Sequence, residues 1–135
     1  MRKAADSSIT IAALLADHPA HQLASEALAA CETTIAHAAV ETYSVLTRLP
    51  WPHRVDAATA AMVLEERTPA SYAALDASGY AEAPARLAMA GVSGGATYDG
   101  LIALAALEHD LELLTLDKRA ERTYRTLGVS YQLLG

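Results

Sequence analysis

Apolar and polar positions change period along this chain. From Ala96 to His109 the apolar residues Leu101, Ile102, Leu104, Ala105 and Leu107 recur at helical spacing, behind a Ser93-Gly94-Gly95 loop signal. Glu112 to Leu116 is then a short apolar run with one threonine, the pattern of a buried strand. Arg2 to Asp6 is placed as a first strand, although it is polar. Ser7-Ser8 can cap a helix through their hydroxyls, and Ile9, Ala12, Ala13 and Ala16 give helical spacing up to Asp17. His18-Pro19 interrupts, and His21 to Cys31 reads as a second helix. Thr33 to Ala36 is a β-branched strand candidate, and Ala38 to Leu49 is helical.

Pro50-Trp51-Pro52 is a stop, because proline disfavours helix at itself and at the residue before it. Val55 to Arg67 reads as a helix with Asp56 in its first turn. Thr68-Pro69 is expected to start a further helical segment, broken or divided at Gly79 and Pro84 before Ala90-Gly91, with any strand between Met62 and Tyr72 weakly marked. Lys118 to Leu127 is a helix ended by Gly128, and Val129 to Leu133 a last strand. The expected order is β-α-α-β-α-α-α-β-α-β. Strands alternating with helices imply an α/β fold with a mostly parallel sheet covered on both faces.

Composition narrows the classes. At 135 residues the chain is expected to be one domain; 53% hydrophobic and 19% charged residues exclude a disordered composition. Cys31 is alone, so neither an internal disulfide nor a cysteine-based metal site is available, which fits a reducing cytosol. Met1-Arg2-Lys3 is charged like a leader, but Asp6, Asp17, His18 and Pro19 interrupt any apolar core behind it, and no apolar stretch is long enough for a membrane span. A net charge of −6 argues against broad nucleic-acid binding. The basic run Lys118, Arg119, Arg122 and Arg125 keeps a local backbone contact open, beside the plainer reading of a solvated helix face.

Four acids occupy comparable places. Asp6 follows the first strand and Asp117 follows the strand Glu112–Leu116. Glu41 and Asp99 are read in helix first turns. In a parallel sheet, strand carboxyl ends and the following helix starts face one edge, where ligands bind. Each acid alone is adequately explained by a helix dipole or by solvent. Together they would repel, and protons or a cation would have to offset the repulsion. An oxygen-only donor set suits Mg²⁺ or Mn²⁺. Asp99 starts a stripe continued by Ile102, Ala103 and Ala106 that should be buried. The five histidines are scattered without ligand spacing, Gly94-Gly95 lacks the Lys-Ser/Thr of a phosphate loop, and Ser7 and Ser8 lack His–Asp partners.

Four blocks carry a resemblance over nearly the whole chain. They are Asp6-Ser7-Ser8, Ala39-Val40-Glu41, the run Gly94-Gly95-Ala96-Thr97-Tyr98-Asp99-Gly100-Leu101-Ile102-Ala103, and Leu113-Leu114-Thr115-Leu116-Asp117. The chain resembles a PIN domain, in particular the toxin subunit of VapBC-type toxin–antitoxin pairs. The resemblance implies a single PIN-like domain over residues 1–135, a three-layer α/β/α sandwich around a mostly parallel sheet of four to five strands. It implies a cytoplasmic, metal-dependent endoribonuclease with an acidic Mg²⁺ or Mn²⁺ site. It also implies an RNA substrate, a homodimer and a cognate small antitoxin as partner.

Carried over residue by residue, the metal and catalytic set is Asp6, Glu41, Asp99 and Asp117. Ser8 and Thr115 are candidate supporting hydroxyls, and Lys118, Arg119 and Arg122 are candidates for the RNA backbone. Two positions depart from the family pattern. The first strand is polar and short where the family shows an apolar run. Arg119 stands two places after the fourth acid, where some members have a further acid, and this argues against a second metal. Two other functions remain open: a PIN-like binding module that mainly pairs with an antitoxin, and a metal-dependent phosphatase on a similar sheet.

Overall fold

Neighbouring residues of one central strand serve two different cores. In the computed structural model, which describes residues 1–135, Leu113 belongs to a core that includes Ala4, Ile35, Leu87, Ile102, Leu104 and Tyr124, whereas Leu114 belongs to one that includes Ala5, Ile9, Ala12, Ala13 and Leu28. Successive side chains of a strand point to opposite faces, so an apolar run with no polar alternation must be covered twice.

The coverage comes from the helices. The chain runs β1 (Arg2–Ala5), α1 (Ser7–Leu14), α2 (His21–Ala29), β2 (Thr34–Ile35), α3 (Ala36–Thr47), α4 (Ala57–Arg67), β3 (Tyr72–Ala73) and α5 (Ala77–Met89). It continues through α6 (Ala96–Glu108), β4 (Leu111–Thr115), a 3-10 turn (Lys118–Ala120), α7 (Glu121–Leu127) and β5 (Tyr131–Leu133). Helices α1 and α2 cover one face; α5, α6 and α7 supply the core of the other. Alanine dominates the buried face of α1 and α2, which lets these short helices approach closely.

All pairings are parallel. β4 lies between β1 and β5, with Ala4 opposite Leu113 and Leu113 opposite Tyr131. β2 pairs with β3, and the Glu32 N–H donates to the Lys3 carbonyl (3.1 Å), setting this second ribbon beside β1. The polar first strand therefore does form: Ala4 and Ala5 are buried, while Arg2 at its start is exposed.

Several local readings need correction. Thr68-Pro69 does not start a helix. Thr68 closes α4 through its N–H and hydroxyl on the Leu64 carbonyl, and the chain then enters β3. The Thr34 hydroxyl donates to the Pro69 carbonyl (2.7 Å) and the Thr33 hydroxyl to that of Ser71 (3.0 Å), so side chains reinforce a two-residue ladder. Pro84 neither breaks nor divides α5. Tyr80 and Pro84 lie on its exposed side, where water can take the carbonyl that proline leaves unpaired. Asp56 caps α4 from outside its first turn, accepting from the Thr59 N–H. The final helix opens as a 3-10 turn and closes at Gly128, whose φ of 79° a side chain would resist.

Candidate active site at the carboxyl edge of the sheet

Parallel β1 and β4 end side by side, and each hands the chain to an aspartate. The Asp6 N–H donates to the Leu114 carbonyl (3.0 Å), so the ladder itself fixes the Asp6 backbone. Its side chain then caps α1: Oδ1 accepts from the Ser8 N–H (3.0 Å), the Ser8 hydroxyl and the Ile9 N–H. Oδ2 accepts from the Tyr124 hydroxyl at 2.7 Å. Asp6 is only 2% exposed, and burial pushes its carboxyl above the usual range, against the lowering effect of these donors.

Ser8 ties the two strand ends together. Its oxygen donates to Asp6, accepts from the Leu116 N–H (2.9 Å) and lies 3.4 Å from the Thr115 hydroxyl. Thr115 is buried and in turn accepts from the Asp117 N–H at 3.0 Å. Asp117 caps the 3-10 turn through the Arg119 N–H (2.9 Å). The Arg119 guanidinium also lies near Asp117 (3.5 Å), but it is almost fully exposed, so the pair contributes little.

Glu41 lies in the second turn of α3 rather than the first, because the helix starts at Ala36 instead of Ala38. It is half-buried and accepts from the Ser7 hydroxyl, the residue next to Asp6. Asp99 is in the first turn of α6, and Ile102, Ala103 and Ala106 behind it are fully buried. Burial first, then the charges of Asp6, Glu41 and Asp117, raise its carboxyl to about 6; Arg119 pulls the other way. Each of the other three acids thus acts on Asp99. Their side chains are not gathered into a coordination shell, since no group of three Asp, Glu, His or Cys is arranged to hold a metal ion. The donor chemistry nevertheless suits a hard divalent cation: every donor is a carboxylate oxygen, and a cation would relieve the repulsion that Asp99 feels.

Lys118, Arg119 and Arg122 come directly after Asp117 and are exposed. Two contributors escape sequence reasoning. Ser7, by sequence a helix cap or an unpartnered nucleophile, is instead the donor that holds Glu41. Tyr124 is fully buried, stands 118 positions from the carboxylate it holds, and has no motif around it.

A family model for the PIN domain matches residues 4–126. The chain belongs to the PIN-domain family. Among PIN proteins it is similar to Ribonuclease VapC40 of Mycobacterium tuberculosis, in strains CDC 1551 / Oshkosh and H37Rv alike. Identity is 44% over 131 residues, covering 97% of this chain and 98% of the relative. Ribonuclease VapC27 of strain H37Rv is 43% identical over 127 residues, covering 93% and 92%. This PIN domain is therefore of VapC type. No helix in it is long and apolar enough to cross a membrane.

Proposed function

We propose that this PIN domain, residues 1–135 as one unit, is a Mg²⁺- or Mn²⁺-dependent endoribonuclease and the toxin of a type II toxin–antitoxin pair. The reading is supported by Asp99, half-buried in the first turn of α6, whose carboxyl is raised to about 6 by burial first and then by the charges of Asp6, Glu41 and Asp117. Similarity to two relatives named ribonucleases supports the reaction class. PIN-domain nucleases generally use a divalent metal.

Asp6, Asp99 and Asp117 would hold the cation in this reading, and Glu41 would join them or take the proton of the attacking water. A divalent cation bound there would supply positive charge to the attacking water and to the phosphoryl oxygens. Water adds to phosphorus in line, its proton passes to Glu41, the bridging P–O bond breaks, and the leaving oxygen takes a proton from solvent. Ser8 and Tyr124 hold the two oxygens of Asp6 and fix the orientation of that carboxylate. Lys118, Arg119 and Arg122 hold the RNA backbone. The protein acts in the cytoplasm as a homodimer, and a cognate small antitoxin holds it in check.

The expected result is cleavage of single-stranded RNA with Mn²⁺, loss of cleavage in excess EDTA, and no action on a small phosphomonoester. Cleavage that persists in EDTA would overturn metal dependence; phosphomonoester turnover without RNA cleavage would favour the phosphatase. A second reading, a weak nuclease whose main role is pairing with an antitoxin, is favoured by exposed Val40 on α3, Met62 on α4 and Tyr72 on β3. Antitoxin binding without measurable cleavage at any divalent concentration would select it.

A further inference from the structure

Helices α3 and α6 meet near their N-termini through two aromatic rings. The His37 imidazole and the Tyr98 phenol lie parallel within 3°, with centroids 5.6 Å apart. His37 is half-buried, while Tyr98 is 53% exposed despite this contact. The stack thus holds the tyrosine ring in a set orientation and leaves much of it open to solvent. Both residues adjoin the acids. Asp99 directly follows Tyr98, and Glu41 stands four positions beyond His37, on the same side of α3.

The surrounding charge makes this placement informative. RNA phosphates approaching four carboxylates are repelled, and the nearby cations Lys118, Arg119 and Arg122 all lie in the segment after β4. Neither α3 nor α6 carries a lysine or arginine. Substrate passing along these two helices meets no cation on the helices themselves, so contacts other than ion pairs have to contribute there. An aromatic face does this for an unpaired base, because every base has a π-face and stacking tolerates sequence. A paired base has both faces occupied by its neighbours in the duplex and cannot stack in this way.

We propose that the Tyr98 ring, ordered by His37, is a stacking subsite for one unpaired nucleobase beside the scissile phosphate. The proposal rests on the ribonuclease reading for its substrate, and its test does not depend on turnover. In the full-length protein carrying Asp99→Asn to prevent cleavage, binding of a fluorescein-labelled single-stranded oligoribonucleotide is followed by anisotropy. Adding Tyr98→Ala is expected to weaken binding on the order of tenfold, and Tyr98→Phe to leave it unchanged. Replacing one nucleotide in the oligomer by an abasic unit should cost the Tyr98 protein a similar factor and cost the Tyr98→Ala protein nothing further.

Equal affinities for the Tyr98 and Tyr98→Ala proteins, or abasic losses that ignore residue 98, would overturn the subsite. A Tyr98→Ala protein that binds RNA normally but changes its mass in solution would also overturn it, assigning the ring to contact between copies. Should the wild-type chain cleave no RNA, the nuclease reading fails by itself, and the anisotropy series still decides the stacking role.

Discussion

Asp99→Asn is expected to abolish RNA cleavage and, in the metal-free protein, to raise the melting temperature. The two effects share one cause. Asp99 is raised from an ordinary 3.8 to about 6 by burial and by the charges of Asp6, Glu41 and Asp117. A carboxyl whose pKa is higher folded than unfolded supports the fold only while protonated. Its contribution is intact below about pH 4 and is lost as pH rises through about 6. A shift of that size corresponds to about 3 kcal/mol at full weight, and solvent screening of a half-buried group reduces it to roughly 1 kcal/mol. Asparagine keeps the shape and removes the charge. At pH 7.5 the metal-free variant should melt roughly 3 °C above wild type, with the difference closing towards pH 4. Thermal scans across that pH range check the stability effect, and oligoribonucleotide cleavage with Mn²⁺ checks the loss of activity, expected to exceed about a hundredfold. An active Asp99→Asn protein would remove Asp99 from the catalytic set.

Asp6→Ala is expected to do the opposite to stability. Asp6 and Asp99 are assigned to the same proposed site, but only Asp6 is hydrogen-bonded into the scaffold. Truncation removes the cap of α1, a loss of about 1 kcal/mol. It also leaves the buried Tyr124 hydroxyl without its acceptor, which costs about 1–3 kcal/mol. Relief of a buried carboxyl offsets part of this, because burial raises the Asp6 pKa. The net expectation is a loss of roughly 2 kcal/mol, read from the midpoint of urea unfolding. Asp6→Asn keeps one oxygen to cap α1 but turns the other acceptor, the one facing Tyr124, into an amide donor, and should lose less than Asp6→Ala. An Asp6→Ala protein as stable as Asp6→Asn would show that the network around Asp6 contributes nothing to the fold.

How much of the molecule is legible in its sequence depends on how local each cause is. β4 and α6 are legible because Leu111–Thr115 must be buried on both faces and Ile102, Ala103 and Ala106 share one stripe, patterns that lie within a few residues. The parallel α/β order follows from their alternation with the other elements. β3 is hidden because two residues, Tyr72-Ala73, carry no periodicity, and what fixes them comes from Thr33 and Thr34 nearly forty positions earlier. The turn that holds Glu41 is misplaced by sequence because α3 has no side-chain cap at Ile35 to mark its start. Pro84 looks like a breaker because its exposure inside α5 is a tertiary fact. At the site, the acids stand out through position and type. Tyr124, which holds Asp6, does not, because its pairing joins residues 118 positions apart and no local pattern marks it.

The central claim, that these carboxylates form a working divalent-metal site, is tested most directly by melting the wild-type and Asp99→Asn proteins side by side against increasing Mn²⁺. A ligand present at a hundred times its dissociation constant stabilises by about 2.7 kcal/mol. Wild type should therefore gain roughly 5 °C or more at millimolar Mn²⁺, and Asp99→Asn little or nothing. No shift in wild type, or an equal shift in both proteins, would contradict the claim.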